Sequence, residues 1–149
     1  MKKLTILYGT ETGNAELLAM DAGELAKDQG FDPDVRGMDE IDVDELRNLQ
    51  RLLIYCSTWG DGEQPDNAQD LFDAVSDCTE GDLSGLNYGV LALGDTAFDL
   101  FCESGKEWDA VLSEKGANRL IDRMDCDTDY EEDAEYWTES SIKAMKTIE

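Results

Sequence analysis

One segment constrains the fold of this chain more than any other. Leu4-Thr5-Ile6-Leu7-Tyr8 is a short apolar run. It leads through Gly9 into Thr10-Glu11-Thr12-Gly13-Asn14, a loop of small, hydroxylic and amide side chains around a glycine. Ala15, Leu18, Ala22, Leu25 and Ala26 then recur at the spacing of one helical face. The segment reads strand, tight loop, helix. Such a loop aims backbone N–H groups, two threonine hydroxyls and the Asn14 amide at one point, and the helix N-terminus adds partial positive charge there. The guest that suits it is a phosphate. No Lys or Arg lies between Lys3 and Lys27, which disfavours a P-loop, whose lysine sits on the phosphates. The same residues also read as a helix start capped by Thr12 or Asn14 with no ligand.

The remaining chain repeats the alternation. Gly30 stops the first helix, and Asp32 to Gly37 is a weak second strand whose Pro33 places it near a sheet edge. Asp42 to Leu49 is a short helix or irregular segment. Leu52-Leu53-Ile54-Tyr55-Cys56 and Tyr88-Gly89-Val90-Leu91-Ala92-Leu93 are apolar on both faces, as strands of a parallel sheet covered on each side are. Between them, Asn67 to Val75 is a helix with Ala68, Leu71, Phe72 and Val75 inward. Phe101 to Lys115 is a helix ended by Gly116, Arg119 to Met124 a fifth strand, and Asp133 to Thr147 a closing helix with Trp137 inward. This pattern predicts an α/β fold: a three-layer, doubly wound, five-stranded parallel sheet in one domain spanning all 149 residues. Ligands on such sheets bind outside the carboxyl ends of the strands. Three loops leave those ends: 9–14, 57–65 and 94–100.

The second and third loops each carry an aromatic among small residues. Ser57-Thr58-Trp59-Gly60-Asp61-Gly62 holds Trp59, and Gly94-Asp95-Thr96-Ala97-Phe98 holds Phe98. Two aromatics beside a phosphate cradle suit a flat ring held between them, each stacked pair contributing about 0.5–1.5 kcal/mol beyond burial. Gly60 and Gly62 leave the second loop free to turn a peptide over. Alternatively, Trp59 packs under its own loop and Phe98 joins the core with Leu100 and Phe101.

Composition removes whole classes of chemistry. With no histidine, histidine metal sites and Ser-His or Cys-His pairs are excluded. Cys56, Cys78, Cys102 and Cys126 are spread out with no Cys-x-x-Cys, so free thiols in a reducing cytoplasm are expected, with Cys56 in the core. Cys102 opens a helix, where the dipole would lower its pKa. Acids outnumber bases 36 to 12, for a formal charge of −24. That disfavours nucleic acid and anionic membrane as partners and permits a basic protein partner. Adaptation to high salt and plain solubility are the other readings. The apolar run after Met1-Lys2-Lys3 is too short for an export signal, and no run is long enough for a membrane span.

Taken together, Thr10-Glu11-Thr12-Gly13-Asn14-Ala15, Ser57-Thr58-Trp59-Gly60-Asp61-Gly62 and Leu93-Gly94-Asp95-Thr96-Ala97-Phe98 resemble the three FMN-binding loops of flavodoxins, above all the FMN domain of diflavin reductases such as the sulfite reductase flavoprotein. Phe101-Cys102-Glu103-Ser104-Gly105-Lys106, Asp122-Arg123-Met124-Asp125-Cys126-Asp127 and Asp66-Asn67-Ala68 extend the likeness over essentially the whole chain. The resemblance implies strand order 2-1-3-4-5, noncovalent FMN and one-electron transfer. It puts the flavin phosphate in the 9–14 loop with Ser57 or Thr58 assisting, and Trp59 and Phe98 against the ring. It gives the Gly60 carbonyl to the ring nitrogen protonated on one-electron reduction, and brings Asp127 near the flavin. Leu93, Gly94, Asp95, Thr96, Ala97, Phe101 and Cys102 complete the third loop's share of the site, and Asp61 the second's.

Two departures matter. Phe98 stands where the family usually has tyrosine, losing a hydroxyl but not the stacking. No FAD- or NADPH-binding segment follows, and the fifth-strand insertion of long-chain members is absent, so the expectation is a short-chain, free-standing, monomeric cytoplasmic carrier. It would have no catalytic residue and no metal, and would use a separate NAD(P)H-dependent flavoprotein reductase and a separate acceptor as basic partners. Between Arg51 and Lys106 there is no base, while Glu63, Asp66, Asp70, Asp95 and Asp99 are among the acids. Carboxylates around the flavin would oppose a second electron, since fully reduced flavin is anionic. The alternative is an FMN subunit of a split diflavin system. A flavodoxin-like NAD(P)H-dependent reductase needs room for nicotinamide over the ring. A receiver-type signalling domain needs an acidic cluster where Gly9-Thr10-Glu11-Thr12 stands.

Overall fold

The computed structural model describes residues 2–11, 13–58, 62–95 and 100–148. Strand β1 (Lys2–Gly9) is followed by α1 (Asn14–Asp28), β2 (Phe31–Gly37), a single 3₁₀ turn at Met38–Glu40, α2 (Val43–Arg47) and β3 (Arg51–Ser57). Then come α3 (Asp66–Ser76), β4 (Asn87–Leu93), α4 (Glu103–Glu114), β5 (Asn118–Arg119), β6 (Met124–Cys126) and α5 (Glu131–Met145). All strand pairs are parallel, and the order is β2-β1-β3-β4-β5 with β6 also on β4. The doubly wound 2-1-3-4-5 sheet is therefore present. Its second strand lies at the edge, where Pro33 can do without a ladder donor.

The alternation of side chains along β3 builds the layers. Leu53 and Tyr55 pack with Ala15, Ala19, Ala22, Trp137 and Ile142 of α1 and α5. Leu52, Ile54 and Cys56 pack with Ala68, Leu71, Val75, Trp108 and Leu112 of α3 and α4. Successive residues point to opposite faces, so a strand with helices on both sides must be apolar throughout, and β3 is buried from Arg51 to Cys56. Trp137 lies inward, edge-on to Tyr55 at 5.6 Å.

Helices α4 and α5 and the fifth strand differ from the sequence expectation. Helix α4 starts at Glu103 because Cys102, at φ 55°, holds a left-handed conformation that no helix can include. Helix α5 starts two residues before Asp133 and ends at Met145. The fifth strand, expected from Arg119 to Met124, is two short pieces sharing one position in the sheet. Asp109 explains the break. It is 3% exposed and receives Arg119 Nε on one oxygen and Arg123 Nη1 on the other, both at 2.7 Å. An unbroken strand would hold those arginines about 13 Å apart. Leu120 N–H still donates to the Tyr88 carbonyl at 3.0 Å, but Ile121 to Arg123 leave the ladder, and Trp137 Nε1 donates to the Asp122 carbonyl at 3.1 Å.

Candidate functional site

The sheet register brings the loops together. Gly9 is level with Cys56, Ser57 with Leu93, and Leu93 with Cys126. The loops after β1, β3, β4 and β6 thus leave one edge side by side.

The first loop is set by Gly13. At φ 93° it adopts the left-handed region that glycine alone enters freely, and it forms the N-cap of α1 with no side-chain cap. Asn14 lies inside the helix, so its amide is not the cap. The first-turn N–H groups of α1 are therefore free of a side-chain acceptor among the described residues, and the space a Cβ on Gly13 would occupy is open. Thr10 Oγ1 accepts the Gly13 N–H at 2.9 Å, which leaves its own hydroxyl proton to donate. Two residues of α3 hold this loop. Asn67 Oδ1 accepts from Thr10 N–H at 2.8 Å while Asn67 Nδ2 donates to the Tyr8 carbonyl at 3.2 Å. Glu11 turns away from the cradle and accepts the Asp66 N–H at 2.6 Å. Its charge serves the N-terminus of α3, whose N-cap Pro65 offers no side-chain acceptor. Below the loop, Tyr8 donates to Glu16 at 3.1 Å. Burial, the Glu16 bond and the nearby Glu40 and Asp39 push its hydroxyl up to about 12.

The second and third loops are tied to each other and to α4. Thr58 N–H donates to the Leu93 carbonyl at 3.0 Å, and Thr58 Oγ1 accepts from Ser104 N–H at 3.3 Å. The Thr58 hydroxyl oxygen thus serves the start of α4. Gln64, 6% exposed, accepts from Trp108 Nε1 at 3.0 Å and donates to the Ser104 carbonyl at 3.1 Å and to Glu107 at 3.2 Å. Gly62, at φ 103°, lies so close to Leu100 that a Cβ would fall 2.7 Å from Leu100 Cδ1. Gly94 N–H donates to the Cys126 carbonyl at 2.9 Å. Phe101 is half-buried under Lys106, whose Nζ sits 5.8 Å from the ring centre. At the far end, Asp127 is half-buried and its Oδ1 accepts from Thr128 N–H at 2.8 Å.

Cys102 corrects the sequence reading. The thiol is fully buried beneath the third loop, 3.5 Å from the carbonyls of Ala92 and Cys126. Burial, reinforced by Asp125, pushes its pKa up to about 12 rather than down. It is the N-cap of α4, and burial outweighs any lowering by the helix dipole there.

The profile of the flavodoxin family matches residues 6–137. The chain belongs to the flavodoxin family. The sulfite reductase [NADPH] flavoprotein alpha-component of Bacillus subtilis (strain 168) is 41% identical over 144 residues, which is 97% of this chain and 24% of that protein. Its counterpart in Shewanella sp. (strain MR-7) is 41% identical over 145 residues, again 97% and 24%. The chain therefore spans about a quarter of the length of these curated relatives. Among solved structures, the flavodoxin of Streptococcus pneumonia TIGR4 superposes with a TM-score of 0.86 at 28% identity, covering 97% of this chain and 98% of that one. A cysteine-to-alanine mutant of the flavodoxin from Pseudomonas aeruginosa does so with 0.85 at 30%, covering 97% and 99%.

Flavodoxins bind FMN and carry electrons. The described residues of this flavodoxin fit the phosphate end of that cofactor: an uncapped helix N-terminus, an open space above Gly13, and a loop already braced by α3. Thr12, Trp59, Gly60, Asp61, Thr96, Ala97 and Phe98 lie outside the described residues. Of the other site residues read from sequence, Thr10, Gly13, Asn14 and Ala15 surround the cradle. Ser57, Thr58, Leu93, Gly94, Asp95 and Asp127 stand along the same edge, and Glu11 and Cys102 serve the loops from behind. Sequence reasoning placed neither Asn67 nor Gln64 in the site. Asn67 was within reach, because it stands in the family-like Asp66-Asn67-Ala68 run. Gln64 carries no such signal. Among the described residues, no helix is long and apolar enough to cross a membrane.

Proposed function

We infer that this flavodoxin is a one-electron carrier that holds FMN noncovalently and exchanges electrons with a separate NAD(P)H-dependent reductase and a separate acceptor. It has no catalytic residue of its own. The observation that carries the reading is the N-terminus of α1, left without a side-chain cap among the described residues, at the sheet edge from which three family-like loops leave. When bound, FMN supplies the redox chemistry. The protein supplies the rest. The N–H groups of Asn14, Ala15 and Glu16 and the Thr10 hydroxyl would hold the phosphate without a cation. Trp59 and Phe98 would cover the ring and leave no room for a nicotinamide. Gly60 would offer its carbonyl to the ring, and Asp127 would close the edge. The acid-rich loops would face basic docking surfaces and oppose a second negative charge on the flavin.

A second reading is favoured by one observation. Identity to the sulfite reductase flavoprotein component runs over 97% of the chain, so the chain would be the FMN-binding part of a diflavin system, split or continuous. Stopped-flow mixing tests both. The FMN-loaded protein should stay oxidised with NADPH alone and be reduced once a flavoprotein reductase is added. Rapid reduction by NADPH alone, or no calorimetric heat when apoprotein meets FMN, overturns the carrier. Reduction only by one cognate partner, in a stable complex that persists at high salt, selects the second reading.

A further inference from the structure

We propose that the opposite pole of the sheet, at the amino ends of its strands, carries a second anion site that takes a phosphate group. A cavity of about 520 Å³ opens there between the starts of β1 and β3 and the end of α2, lined by Lys2, Lys3, Thr5, Glu45 and Arg51 among others. In a chain with 36 acids and 12 bases, three bases and one acid on a single cavity invert the composition. Cations at helix C-termini are commonplace, but these three stand on strand starts and not in the last turn of a helix.

Among the described residues, the charge there is poorly matched. Arg51 is only 5% exposed, yet it has no carboxylate partner among the described residues. Its Nη1 and Nη2 donate to the carbonyls of Lys3 at 3.4 Å and Ile148 at 3.0 Å, and its Nε is buried without a partner among the described residues. Thr5 Oγ1, 1% exposed on the neighbouring strand, also has no partner among the described residues. Lys2 Nζ donates to the Ile148 carbonyl at 2.7 Å, again with no carboxylate among the described residues. The nearby acids are already engaged: Asp34 by Lys3 at 3.4 Å and Arg36 at 2.9 Å, and Glu45 by Arg36. A water could satisfy a stray N–H but could not neutralise a buried guanidinium. An oxyanion does both, and a guanidinium fork matches phosphate geometry. The cavity has room for more than a bare ion, so inorganic phosphate and the phosphate of a small organic phosphate share this chemistry.

The eight residues of β1 separate this cavity from the flavin loops by about 25 Å. That is about three Debye lengths at physiological salt. Binding here therefore braces the first strand against β3 and leaves the flavin undisturbed.

The test uses FMN-saturated protein, so that added phosphate cannot enter the cradle at α1, and holds ionic strength constant with KCl. Calorimetry and thermal unfolding are followed against inorganic phosphate and, separately, adenosine monophosphate. A saturable rise in Tm beyond the KCl control is expected. Arg51→Met should weaken binding about 10-fold or more, the effect of losing hydrogen bonds to a charged group. Lys2→Ala should weaken it by a smaller factor, and Lys143→Ala, whose side chain does not line the cavity, not at all. Lys2 is exposed, so its variant carries the comparison if Arg51→Met does not fold. Tighter binding of the nucleotide assigns an organic phosphate, and equal binding assigns the free ion. No saturable response in the wild type, or the same response in Arg51→Met and Lys2→Ala, overturns the site.

Discussion

Replacing Asn67 with alanine removes two hydrogen bonds that cross from α3 to the first loop, the Thr10 N–H to Asn67 Oδ1 bond of 2.8 Å and the Asn67 Nδ2 to Tyr8 carbonyl bond of 3.2 Å. Each is worth about 1 kcal/mol net, and the half-buried Thr10 N–H, left without its acceptor, raises the loss to about 2–3 kcal/mol. Helix α3 keeps its apolar face, because Ala68, Leu71 and Val75 are untouched. The loss therefore falls on the conformation of the loop. If the cradle loses about 2 kcal/mol of preorganisation, the binding-competent fraction and the apparent FMN affinity fall about 30-fold. Quenching of flavin fluorescence on adding apoprotein measures the affinity, and urea unfolding of the apoprotein measures the stability. Asn67→Asp keeps an acceptor for Thr10 but loses the donor to Tyr8, and its stability should fall between the two. Wild-type FMN affinity in Asn67→Ala would refute the claim that α3 holds the cradle.

Gly105→Ala puts a Cβ 2.2 Å from Ala92 Cβ and 3.0 Å from Ala92 Cα. Helix α4 must then lift from β4 at a cost of about 3 kcal/mol, and a urea midpoint equal to wild type would contradict that packing. Alkaline pH should unfold the protein steeply. Burial pushes Cys56 and Cys102 up to about 12 and Cys126 up to about 11 from 9.0, while Tyr8 and Tyr88 rise to about 12 from 10.0. These raised groups contribute stability that is whole below pH 9 and lost as pH climbs towards 12, by at most about 1.4 kcal/mol per pH unit for each group. Stability that stays flat to pH 11 would exclude it. Because the chain carries −24 charges, Tm should rise between 0.05 and 1 M NaCl as self-repulsion is screened, an expected gain of a few degrees. A falling Tm would show that ion pairs such as Arg36 with Asp34 and Glu45 outweigh it.

The sheet was legible because burial on two faces leaves a mark no single-faced element has, as at Leu52 to Cys56. The helices were legible where small residues hold a strict face, as Ala15, Ala22 and Ala26 do. What escaped was set by pairs distant in sequence. Nothing local to Arg119–Met124 announces a broken strand, because the break is imposed by the Asp109 carboxylate a helix away. Glu11 looks like a cradle residue until Asp66 is seen 2.6 Å from it. The activation of Cys102 was argued from a helix dipole, and burial beneath the third loop overrides it. Local pattern specifies elements and the loops between them; the roles of polar side chains are settled by partners tens of residues away.

The charge pattern follows from the winding itself. In a parallel sheet with crossover helices, each helix runs back against its strands, so helix N-termini gather at the carboxyl edge and C-termini at the other. First turns favour acids and last turns favour bases. Here Glu16, Asp66, Glu103 and Glu131 open α1, α3, α4 and α5, while Lys27, Arg47 and Lys143 close α1, α2 and α5. A rule that stabilises each helix separately thus places acids at the helix starts beside the cofactor loops and bases at three of the far ends, while α3 and α4 end without one. The net charge sets how strongly a basic partner is drawn, but this sorting sets which end it meets. It orients the edge where a flavin would be exposed towards any positive surface before contact is made. Among the bases, Lys106 over Phe101 does stand at that edge, while Lys27, Arg47 and Lys143 stand at the other. Adding two bases beside the cofactor loops, as Glu63→Lys with Asp66→Lys, should slow association with a basic reductase at low salt and leave it unchanged at high salt. Equal slowing at both would assign the effect to lost contacts instead of steering.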